Sequence, residues 1–221
     1  MTERNVLQQI NLLTEDIIKV GLCDDQNFPA IIDKGENTKE VCTGKIRTNA
    51  FLKNISYADM YNVLLQQRFY NLRMLDGALI TMYYLFVNGE ICLHRLAFFP
   101  SPDLEEFQNN PEVYMLDEIY ADVIDKRIVP FPLRFDYDSS PAARNVEHPI
   151  SHLTLGQYKN CRIPVSSALT PSIFIDFIIR NFYNTAFSKC SERISHYSEQ
   201  FTPTLSDEEK RIVHISLPKI G

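Results

Sequence analysis

Apolar residues recur at Val6, Ile10, Leu13, Ile17 and Val20, spacings that place one stripe along a helix over residues 4–20. The next stretch, 21–45, is rich in turn formers and reads as irregular. Ser56 then stands before "YADMYNVLLQQR" as an N-cap, with Asp59 at the third helical position, and opens a second helix. Tyr57 and Tyr61 in that helix read as core packing. "GALITMYYLFVNGEICLHRLAFFP" is two β-rich runs around Asn88-Gly89, the pair a type I′ turn needs because both central residues take positive φ. Strands are predicted near 78–86 and 91–98, with Asp76-Gly77 as a turn before the first. Proline cannot donate to a ladder, so "PSP" at 100–102 ends the sheet there.

Residues 103–125 predict one or two short acidic helices. "RIVPFPLRFDYD", residues 127–138, reads as a third strand, "ISHLTLG" as a fourth and "CRIPV", 161–165, as a short fifth. Thr170-Pro171 is an N-cap followed by proline at the first helical position, opening a helix to about residue 188. Ser206 caps a turn before "RIVHISLP", which allows a closing strand. The expectation is one α+β domain over residues 1–221: N-terminal helices, an antiparallel sheet of four or five strands, and a buried C-terminal helix.

Composition adds exclusions. The chain has 221 residues and a net charge of −6, which argues against a protein that coats DNA nonspecifically. Five scattered cysteines without a CxxC pair read as free thiols in a reducing cytoplasm. "MTERNVLQQINLL" has no apolar signal region, and "SIFIDFIIRNFY" is too short and too charged to span a bilayer, so no membrane partner is expected. No Walker loop, GxGxxG, GxSxG or HExxH is present, and no cofactor is called for. Charge is uneven. Residues 103–125 hold eight acids and no Lys or Arg, whereas 126–164 hold six Lys and Arg against three acids.

That basic region carries the candidate chemistry. Side chains alternate across a strand, so in "LRFDYD" Arg134, Asp136 and Asp138 share one face. In "SHLTL" His152 and Thr154 share one. A hairpin through the loop around Arg144-Asn145 brings position 136 near 152, and 134 near 154. His148 then sits at the loop mouth and Arg162 enters from the next segment. Arg95 reaches the same face if its strand is adjacent, where a salt bridge is its expected role, whereas His94 points the other way. His196 and His214 stand apart from the cluster.

Three readings follow. A histidine beside an aspartate moves protons and arginines stabilise a phosphorane-like charge, the equipment of a metal-independent ribonuclease. His148 and His152 with Asp136 or Asp138 offer ligands for a divalent ion, although Pro149 removes the helical geometry in which i and i+4 histidines converge. The face is inert in the third reading, with cross-strand ion pairs and a hydrogen-bonded histidine.

The stretches "RMLDGALITMYYLF", "LHRLAFFPSPDLEEFQ", "PLRFDYD", "HPISHLTLG", "CRIPV" and "FIDFIIRNFY", in order over residues 73–183, resemble a bacterial family catalogued as a domain of unknown function, number twenty-two ninety in its series. The resemblance implies kinship with genes of mobile and anti-phage defence loci, and carries no established activity. More loosely, an Arg–Asp strand followed by a His strand resembles small bacterial toxin families to which ribonuclease activity is ascribed; Thr154 stands here where those carry a further histidine. The leading expectation is a defence or toxin-type protein acting on RNA. His152 is its general base or acid, Asp136 tunes it, Arg134 and Arg162 hold phosphate, and His148 is the second acid–base group. The competing expectation is a non-catalytic module that docks a partner protein encoded nearby through 103–125 and the sheet edge.

Overall fold

A computed structural model describes residues 1–44, 55–102, 119, 130–140, 146–158 and 160–218. The expected acidic helices of 103–125, Ile119 apart, and the loop around Arg144-Asn145 lie outside those residues. Among the described residues the fold is α+β, with four α-helices and nine strands in one antiparallel sheet.

Helix α1, Glu3–Lys19, begins at a capping box: the Thr2 hydroxyl accepts from the Asn5 N–H, and the Asn5 side chain accepts from the Thr2 N–H. Its buried stripe includes Val6, Ile10, Leu13 and Ile17, as the spacing requires. Within the expected irregular stretch, the described residues 21–44 are largely strand. They form β1 (Cys23–Gln26), β2 (Ala30–Gly35) and β3 (Thr38–Cys42). Glu36 and Asn37 join β2 to β3 with φ of 50° and 55°, the left-handed pair of a tight hairpin. These strands, with β4 (Leu72–Met74), raise the sheet from the expected four or five strands to nine. β1, β2 and β3 are short and largely half-exposed or exposed, without a clean alternation of apolar and polar positions, and β4 is only three residues long.

Helix α2, Tyr57–Gln66, is capped by Ser56, whose hydroxyl accepts from the Asp59 N–H at 3.1 Å. The hairpin of β5 (Leu79–Val87) and β6 (Glu90–Phe99) turns at Asn88 and Gly89, with φ of 53° and 81°. β7 (Leu133–Asp138), β8 (Ser151–Leu155) and β9 (Ile163–Pro164) follow, giving the order β1-β4-β5-β6-β7-β8-β9. β5 forks: its first residues pair with β4 and its last four with β3, which carries β2. The expected closing strand reduces to a single bridge between Ile215 and Val165.

Helix α3, Pro171–Phe182, starts where Thr170-Pro171 predicts, with the Thr170 hydroxyl accepting from the Ile173 N–H. It does not run to residue 188. Tyr183, at φ −133° and ψ 50°, breaks it, and α4 (Asn184–Cys190) continues. The break sends the Tyr183 hydroxyl to buried Asp76, to which it donates at 2.8 Å.

The sheet has two unlike faces. Ile80, Met82, Tyr84 and Phe86 of β5, Leu96 and Phe98 of β6, and Leu133, Phe135 and Tyr137 of β7 form the main core with α1 and α3. On the other face α2 covers only one end, where Met60, Tyr61 and Leu64 meet Leu79, Ala97 and Phe99. The remainder of that face carries the polar side chains. No described helix is long and apolar enough to cross a membrane.

Candidate active site

The β7–β8 register is the one the alternation argument requires: Asp136 opposite His152 and Arg134 opposite Thr154. β6 lies on the other side of β7, with Arg95 opposite Asp136, and β5 adds Tyr83 opposite Arg95. One row across four strands therefore reads Tyr83, Arg95, Asp136, His152, all on the face away from α1 and α3.

Asp136 and His152 are buried, at 8 % and 4 % exposure. Arg134 Nε donates to Asp136 Oδ2 at 2.6 Å, two residues along the same strand face. His152 Nδ1 is 2.9 Å from the Pro149 carbonyl, an oxygen that can only accept, so the ring proton of the neutral form sits on Nδ1. Nε2 is left as the basic nitrogen, 3.7 Å from Asp136 Oδ2. Burial lowers the His152 pKa, and the charges of Arg162 and His148 add to that; Asp136 and the Pro149 carbonyl pull the other way and are outweighed. The ring is therefore neutral at pH 7.

His148 stands with its ring centroid 5.7 Å from that of His152. Arg162 donates to the Glu147 carbonyl at 3.3 Å, which holds the chain end carrying His148 against the segment leading into β9. Arg134, Asp136, His148, His152 and Arg162 are thus gathered in one region. Asp138, at the end of β7, makes a local contact: its carboxylate accepts from the Ser140 N–H at 2.8 Å. No group of three or more His, Cys, Asp or Glu among the described residues is arranged to hold a metal ion.

His94 lies on the opposite face. It is fully buried, stacked on Tyr137 at 5.7 Å and edge-on to Tyr84 at 5.6 Å. Its Nε2 accepts from the Leu169 N–H at 3.0 Å, and burial pushes its pKa down to about 3. It is a neutral core residue that ties the sheet to the loop before α3.

Tyr83 is the member of the row that the β7–β8 argument could not reach. Its hydroxyl donates to Glu40 at 3.0 Å, and Glu40 is paired with Lys34 at 2.8 Å. The parity of the Asn88-Gly89 hairpin, carried one strand further, is the signal that finds it.

A family model described as an uncharacterised conserved protein, DUF2290, matches residues 22–217. The chain belongs to this family. All five gathered side chains fall within the matched span, and α1 lies ahead of it. No curated protein and no solved structure matches the chain.

Proposed function

We propose that this member of the DUF2290 family is a metal-independent RNA-cleaving protein of a bacterial defence or toxin type, with its acid–base centre at His152. The observation that carries the reading is the fixed tautomer of His152: Nδ1–H is held by the Pro149 carbonyl and the neutral Nε2 faces a carboxylate already balanced by Arg134. The defence or toxin setting rests on the sequence resemblance alone.

In this reading Nε2 of His152 takes the proton of a ribose 2′-hydroxyl. The 2′-oxygen forms its bond to the neighbouring phosphorus as the bond to the departing 5′-oxygen breaks. His148, as the general acid, gives that oxygen its proton, leaving a 2′,3′-cyclic phosphate and a 5′-hydroxyl. Arg134 and Arg162 balance the charge that gathers on the phosphorane oxygens, and Asp136 stabilises the imidazolium.

Incubation of purified protein with single-stranded RNA, with and without chelator, tests it. Cleavage that survives chelator and is lost in His152→Ala, with the thermal midpoint retained, supports the assignment. Unchanged cleavage in His152→Ala refutes it, and cleavage that vanishes with chelator moves the chemistry to a metal. The low exposure of His152 favours one second reading, in which the row only braces the sheet and the chain docks a protein partner. Charge reversal within 103–125 then dissolves a complex that His152→Ala leaves intact.

A further inference from the structure

The row on the polar face contains one cation that the proposed chemistry leaves unused. Arg95 sits in the middle of β6, where His94 and residues 96–99 are all buried, yet Arg95 itself is exposed. An exposed guanidinium in a central strand ordinarily rests on a cross-strand acid. Here Asp136 and Glu40 hold other cations. Asp136, directly opposite, is bound by Arg134 at 2.6 Å, and Glu40 beyond Tyr83 is bound by Lys34 at 2.8 Å. Among the described residues no carboxylate lies within ion-pair distance of Arg95.

We propose that Arg95 holds a second phosphate of the RNA strand, so that the strand crosses the sheet from β8 toward β6 instead of running along β8. The proposal rests on the reading of His152 as an RNA-cleaving centre and adds the direction in which the substrate lies. Two strand spacings separate Arg95 from His152, roughly 10 Å, so Arg95 reaches a phosphate flanking the one being cleaved. Among the described residues helix α2 covers the end of the face at Leu79, Ala97 and Phe99, which directs the strand along the row and away from that end. A planar, weakly hydrated guanidinium with no ion-pair partner among the described residues suits a phosphate at little desolvation cost.

The test measures binding apart from cleavage. A fluorescent single-stranded RNA, 2′-O-methylated throughout so that it has no attacking hydroxyl, is titrated by anisotropy across a salt series. Wild type, Arg95→Ala, Arg95→Lys and Arg211→Ala are compared, the last removing an exposed charge in the tail. Arg95→Ala is expected to weaken binding roughly three- to tenfold and to lower the salt slope by about 0.7, the value of one phosphate contact on a single strand. Arg95→Lys keeps most of the slope, and Arg211→Ala matches wild type.

Wild-type binding with no loss in Arg95→Ala overturns the proposal, even where wild type cleaves unmodified RNA and the His152 reading stands. Arg95-dependent binding without cleavage of unmodified RNA supports the Arg95 contact and removes the catalytic reading. Absence of binding by wild type overturns both.

Discussion

The buried histidine of the core gives the fold a dependence on acidity that can be calculated. The His94 pKa is about 3 in the folded protein, against about 6.5 for an unperturbed histidine. The depressed value means that the unfolded chain binds the proton first as the pH falls. Stability linked to His94 is therefore fully present above about pH 6.5 and is withdrawn as the pH drops from there toward 3. At 1.36 kcal/mol per unit, moving from about pH 7.5 to about pH 5 removes ~2 kcal/mol through this one ring. That is a large share of the ~5–15 kcal/mol that holds a typical domain together. The assay is equilibrium urea unfolding of wild type and His94→Gln at both pH values. His152, whose pKa is also lowered, destabilises both proteins in the same direction, so the difference between their losses isolates His94. Gln keeps an oxygen to accept from the Leu169 N–H but has no titration. Wild type should lose ~2 kcal/mol more than the variant. Equal losses would refute the account, because they would mean that His94 is protonated in the folded protein or never shielded.

Two further outcomes follow from packing and from the tail. Phe135→Ala removes a ring that is 1 % exposed and packed edge-on against Phe174 and Phe177, and should cost ~3–5 kcal/mol in the same unfolding assay; a cost below ~1 kcal/mol would contradict the packing. Asp16→Ala breaks the bonds by which Ser195 N–H and Oγ hold the tail to α1, at 2.9 and 2.6 Å, and should speed amide exchange at residues 194–197 before it affects the β5–β6 hairpin. Burial opposes the Asp16 charge, but the Ser195 bonds and Lys19 outweigh it and lower the pKa. Its contribution is therefore present at neutral pH and lost as the pH falls through that lowered value.

Local chemistry was the legible part of this fold. Ser56, Thr170-Pro171 and Asn88-Gly89 each act through their immediate neighbours, and each stands where its chemistry demands. The candidate site was readable for the same reason: strand parity alone puts Asp136 opposite His152, and the only long-range assumption was the register. What parity cannot supply is depth. His152 is buried because of everything packed around it, and the shift in its pKa follows from that packing and not from the motif. β1 to β3 escaped notice because the Glu36-Asn37 turn carries no glycine at its centre and the strands on either side are largely polar. The end of α3 at Tyr183 was hidden too, since nothing local predicts that its hydroxyl is drawn to Asp76, which lies far away in the chain.

Because β5 forks, the described residues give the sheet three outer strands where an unbranched ribbon has two. An outer strand offers unpaired backbone groups on which a second molecule can build, the usual beginning of fibrous self-association. Each of the three is blunted in its own way. β1 is four residues long and carries Asp24 and Asp25; β2 follows Pro29 and carries Asp33 and Lys34. β9 is two residues long, ends in Pro164, and is overlaid by the chain's own tail, where the Ile215 N–H donates to the Pro164 carbonyl at 2.8 Å. The branch that widens the sheet also multiplies the places where copies could stick together, and the charges that obscured β1 and β2 in the sequence are what keep those places from doing so.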